Sequence, residues 1–169
     1  MSRNVLLILL VGLAAAGAAL SVMVQKYDKG YVLELGSVSW DPLGAWKDYR
    51  TKARRDCGIV ASLTESDEDW QKIVEGTRNL VPDTDVTPRQ ILRVNDWFLV
   101  EAEFSAAEPA VMLLQRSPEG FRDAANWGGA TAPFRAGPVI RSWLYRTERH
   151  APPVLLQCFD PKGAPFKAD

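Results

Sequence analysis

The sequence predicts an α+β protein: an N-terminal membrane or export helix, then two helices, a four-stranded antiparallel meander and a C-terminal helix. Three observations lead there. Val5 to Val24 is a twenty-residue apolar run without a single charge. Two segments between Asp41 and Leu80 carry apolar residues at spacings of three and four, the period of a helix face. From Arg89 the period falls to two, the alternation of a strand, and it returns to helical spacing after Pro138.

The apolar run reads "VLLILLVGLAAAGAALSVMV", with Ser21 its one polar side chain. At about 1.5 Å of rise per residue it matches the roughly 30 Å hydrocarbon core of a bilayer. Arg3 and the amino terminus precede it, as in an export signal inserted with its N-terminus inside. Two outcomes compete. The run is retained as a signal-anchor, or it is a signal peptide cleaved at Ala16-Gly17-Ala18. The run continues through Leu20, Val22, Met23 and Val24, further than a cleaved signal requires, which favours the anchor. Residues 1–24 are thus read as the signal-anchor or signal peptide and 25–39 as a linker. Residues 40–160 form one extracytoplasmic domain, and 161–169 a loose tail. The expected location is a bacterial inner membrane, crossed once, with the C-terminal domain periplasmic or extracellular; secretion after cleavage is the alternative.

Composition narrows the function. The 169-residue chain is 47% hydrophobic and 24% charged, ordinary values for one domain with an appendage. Its formal net charge of −1 lacks the basic excess of a nucleic-acid binder. Six Trp is a high count for this length, and such rings mark cores or interfaces. Cys57 and Cys158 are expected to form a disulfide in the oxidising compartment that export implies. There is no C-x-x-C pair, which argues against dithiol redox catalysis and a four-cysteine zinc site.

Within the linker, Tyr31–Leu35 can form a short strand. Tyr27, Tyr31 and Trp40 suit either the headgroup layer or packing on the domain. Asp41 is a good N-cap and Pro42 a good first helical residue. Leu43, Trp46, Tyr49, Ala53 and Cys57 make one stripe of that first helix. Lys47, Arg50, Lys52, Arg54 and Arg55 lie opposite, on a face read as solvated, with contact to anionic headgroups or an acidic partner as the alternative. Asp48 and Asp56 dilute the charge there. The second helix is capped by Ser66, and Asp67, Glu68 and Asp69 suit its positive end. Capping accounts for all three carboxylates, so no metal site is expected. Trp70, Ile73, Val74, Thr77 and Leu80 form its stripe.

"VPDTDVTP" is a loop, with two Pro and two Asp. "RQILRVNDWFLVEAEF" reads as two strands joined by a tight turn at Asn95-Asp96. Phe98, Val100, Ala102 and Phe104 share one face; Trp97, Leu99, Glu101 and Glu103 share the other, read as solvated at the glutamates. "AVMLLQR" is a central third strand, apolar on both faces, and "FRDAANW" a fourth. "NWGGATAPFRAGP" then crosses from sheet to helix. Val139, Ile140, Trp143 and Leu144 share a face of that last helix, with Arg141, Tyr145 and Arg149 opposite. Packing all helices on one sheet face, as in cystatin-like or NTF2-like arrangements, satisfies this order by analogy.

The catalytic signals are weak. Walker, dinucleotide and G-x-S-x-G patterns are absent. Glu101 and Glu103 are a carboxylate pair in spacing only, and His150 is the one histidine. The expectation is a non-enzymatic, membrane-anchored envelope interaction module. Its partners would be the membrane, through residues 5–24, and another envelope protein, with no cofactor or metal. The alternative is a small-ligand-binding domain with a pocket bordered by the Trp127–Phe134 loop. Trp127, Phe134, Arg135 and Arg141 are the candidate ligand or partner residues.

Overall fold

The computed structural model describes residues 22–27, 29–82 and 84–163. The chain divides into two units, 1–41 and 42–169. In the first, β1 (Val22–Tyr27), β2 (Gly30–Leu35) and β3 (Val38–Trp40) form an antiparallel sheet in that order. Val22 lies opposite Leu35 and Tyr27 opposite Gly30. Gly36, at φ 62°, supplies the left-handed backbone that turns β2 into β3. Across the hairpin Gln25 Nε2 donates to Glu34 at 2.8 Å, and Tyr27 Oη donates to Gln25 at 2.8 Å.

This sheet replaces the expected linker. It also takes the end of the expected membrane helix, because Val22, Met23 and Val24 are strand residues paired with β2. The rest of that run, Val5–Ser21, lies outside the described residues. Among the described residues no helix is long and apolar enough to cross a membrane.

The second unit opens with helix α1 (Pro42–Arg54), strand β4 (Ala61–Leu63) and helix α2 (Glu68–Leu80). Strands β5 (Val86–Val94), β6 (Trp97–Phe104), β7 (Ala110–Ser117) and β8 (Gly120–Gly128) follow. Helices α3 (Ala136–Thr147) and α4 (Pro153–Cys158) close it. The sheet is antiparallel with order β4-β5-β6-β7-β8. It therefore has five strands, not four; the three-residue β4 is too short to declare a period. The β5–β6 turn falls at Asn95-Asp96 as expected, with Asn95 at φ 53°. Pro88 is tolerated because it sits beside a bulge and beyond the reach of β4, which pairs only with Ile91–Arg93.

The sheet is covered on both faces, which corrects the one-sided packing expected from sequence. On one face Phe98, Val100 and Ala102 pack with Ile91, Met112 and Leu114 beneath Ile73 of α2. On the other, Leu92, Leu99, Val111 and Leu113 meet Ile140 and Leu144 of α3 and Leu155 and Leu156 of α4. The alternation along β6 is as expected. The strand is fully clothed because both of its faces have a helix partner.

Candidate functional site

Helix α1 is the element whose orientation differs most from expectation. Its stripe of Leu43, Trp46 and Tyr49 points outward, with side chains 51%, 56% and 65% exposed. Gly44 and Asp48, one turn apart, are buried instead. The Asp48 carboxylate decides this. Arg141 Nη2 donates to its Oδ1 at 2.7 Å, and Lys52 Nζ lies 3.1 Å from Oδ2. Arg135 Nη1 lies 3.6 Å from the same Oδ2. Arg141 also donates to the Phe159 carbonyl at 2.8 Å, and Lys52 reaches Asp160 at 3.0 Å. One buried cluster thus ties α1, α3 and the segment after α4. Gly137 makes room for it, since a Cβ there would stand 2.9 Å from Arg141 Nη1.

Burial acts to raise the pKa of Asp48. Its hydrogen bonds to Arg141 and Lys52 outweigh that, and its pKa lies below the ordinary carboxylate value. The same balance holds Lys52 above its ordinary value: burial opposes its charge, and Asp160 and Asp48 overcome the opposition. The Cys57–Cys158 disulfide fastens the chain after α1 to the last residue of α4.

On its solvent side α1 carries Trp46 and Tyr49 stacked with ring centroids 6.1 Å apart, and Arg50 lies 6.0 Å from the Trp46 ring centroid. Two grooves flank the helix and share Lys47, Thr51 and Gln157. One, about 390 Å³, runs between α1, α3 and α4 and is walled by Pro138, Tyr145, Pro153 and Leu156. The other, about 310 Å³, is walled by Trp46, Arg50 and Arg54.

Of the four residues singled out from sequence, the two arginines meet at Asp48 and the two aromatic rings are buried. Trp127 is buried on β8, edge to face with Trp143 at 5.8 Å. Phe134 is buried as well, so the glycine-rich loop turns its two aromatic rings inward. Neither ring lines either of the two grooves. Arg135 reaches back toward Asp48. Arg141 does line the larger groove, but its guanidinium is committed to Asp48 and Phe159.

Glu101 is buried rather than solvated, because the segment after α4 lies over it. It accepts from Gln90 Nε2 at 2.6 Å, Lys162 N at 2.9 Å and Gly163 N at 2.5 Å. The tail is thus pinned as far as Gly163. Glu103 pairs with Arg89, and the exposed His150 ring lies 3.0 Å from Glu148.

The acidic cluster at α2 is also divided. Asp67 accepts from Thr64 N at 2.6 Å, Glu68 pairs with Lys72, and Asp69 bridges Arg93 and Arg116. The N-cap is Asp67 rather than Ser66. Among the described residues no group of three or more His, Cys, Asp or Glu is placed to hold a metal ion.

Asp48 is the residue that sequence reasoning passed over. Its signal was the second stripe on the same helix, Gly44, Asp48 and Thr51, at spacings of four and three. No protein-family model matches this chain, and neither a curated protein nor a solved structure matches it.

Proposed function

We propose that the chain is a non-enzymatic interaction module, held at a bacterial envelope membrane by its N-terminal apolar run. It exposes the second unit outside the cytoplasm, where that unit engages another envelope protein. The observation that carries this reading is the outward aromatic stripe of α1 with its flanking grooves. Both faces of the sheet already have filled cores, so these rings are not left out for want of a fold partner. The larger groove combines apolar walls with Lys47 and suits an apolar, acidic segment of a partner. The disulfide agrees with an oxidising location.

The test is site-specific photocrosslinking from position 157 in native membranes. One defined protein should be captured by the wild type and lost with Tyr145→Glu, which places a charge on the groove wall. Undiminished capture by Tyr145→Glu rejects the groove. Undiminished capture by a soluble form, in which a foreign cleavable signal replaces residues 1–21, rejects the need for anchoring.

The volume of the larger groove falls within the range of small-molecule sites, which supports a second reading as a small-ligand-binding domain. Native mass spectrometry of the purified protein checks it. A bound small molecule that disappears in Ser142→Trp favours this reading, and one that persists places the ligand elsewhere.

A further inference from the structure

We infer that the outward face of α1 seats on an anionic lipid surface, with Trp46 and Tyr49 in the headgroup layer. The inference rests on the membrane attachment proposed above; it assigns the aromatic stripe to lipid and leaves the partner the larger groove beside it, with which this face shares Lys47. Its first support is the charge that burial leaves behind. Asp48 is the one acidic residue of α1, and it is buried against Arg141. Lys52 is turned toward Asp48 and Asp160. What α1 shows to solvent is therefore Lys47, Arg50 and Arg54, all exposed, around Leu43, Trp46 and Tyr49. In sequence Asp48 dilutes this charge; in the fold it does not. Three cations interleaved with amphipathic aromatics, on a face carrying no carboxylate, complement phosphate headgroups above an apolar layer.

The second support is the chain path. Val22, the first described residue of the apolar run, pairs with Leu35, which pairs with Val38, and Val24, the last residue of the run, pairs with Leu33, which pairs with Trp40. Trp40 thus lies level in register with Val24, the end of the run. Asp41 alone separates Trp40 from α1. This path keeps the start of α1 within reach of a bilayer that holds the run.

The experiment uses the full chain in phosphatidylcholine vesicles, with or without phosphatidylglycerol, that carry lipids brominated near the headgroup. With phosphatidylglycerol present, Trp emission should be quenched and Trp46→Phe should remove part of that quenching. Arg50→Gln and Arg54→Gln should each lower the docking equilibrium about fivefold. In phosphatidylcholine alone the wild type should behave as Trp46→Phe does. A chain that floats with the vesicles but shows no Trp46 contribution overturns the lipid contact and leaves the face to an acidic protein. A Trp46 contribution of equal size in both vesicles overturns the role of charge. A chain that floats with neither vesicle overturns the attachment itself, and the lipid contact with it.

Discussion

Removing the Asp48 carboxylate leaves Arg141 buried without its partner. Asp48→Ala should therefore cost about 3–5 kcal/mol in urea unfolding, the range for breaking one side of a buried pair. Adding Arg141→Met to that change should recover part of the loss, because the stranded charge then goes too. The pair also sets the acid response. Asp48 and Asp69 both have folded pKa values below their ordinary value, Asp48 through Arg141 and Lys52 and Asp69 through Arg116 and Arg93, in each case against burial. Their contribution is present above the unfolded value of about 4 and is lost as pH falls through the folded values. Melting temperature should fall as pH drops below about 4, and less steeply in Asp48→Asn. A melting temperature that stays flat as pH falls below about 4 contradicts this. At this scale the sequence was a partial guide. It placed Glu101 and Glu103 on one strand face, but nothing in an alternating pattern reveals that a distant segment will cover one of them and leave the other beside Arg89.

Two helices of equal length illustrate how far a periodic stripe can be trusted. In α2 the expected stripe faces the sheet: Ile73 and Thr77 are buried, Trp70 and Val74 are half-buried, and only Leu80 at the helix end is exposed. Its other face is charged, so only one orientation buries apolar surface. In α1 two stripes compete, one aromatic and one of Gly44, Asp48 and Thr51. The small residue allows close approach and the carboxylate meets Arg141, so the aromatic stripe turns out. Stability measurements separate the two cases. Leu43→Ser, Trp46→Ser and Tyr49→Ser should each shift unfolding free energy by no more than about 0.5 kcal/mol, as exposed sites do. Ile73→Ala should cost about 2–5 kcal/mol. A large loss at Trp46 would place that ring in a core. Four of the five strands of the main sheet were legible because the Asn95-Asp96 turn and the β6 alternation agree with each other. The three-stranded sheet was not, since Val22–Val24 continue an apolar run that reads as helix by length alone.

For the whole molecule, sequence order yielded the α+β class and the Cys57–Cys158 bond but not the layering. Placing α2 against one face and α3 with α4 against the other depends on which face each stripe meets, a tertiary fact. The bond spans 101 residues, so reduction should lower stability by up to about 4–5 kcal/mol in the chain-entropy view. Thermal unfolding with and without a reductant measures this, and an unchanged midpoint refutes it. The way Glu101 is satisfied bears on biosynthesis. Two of its donors, the amides of Lys162 and Gly163, are made some sixty residues after it, and Cys57 waits still longer for Cys158. During synthesis the sheet can pair while this carboxylate still holds water. Only when residues 158–163 arrive can the strand be dried and the thiols joined. Completion of this core is therefore gated by residues made after all of its strands, and until they arrive the seam stays open.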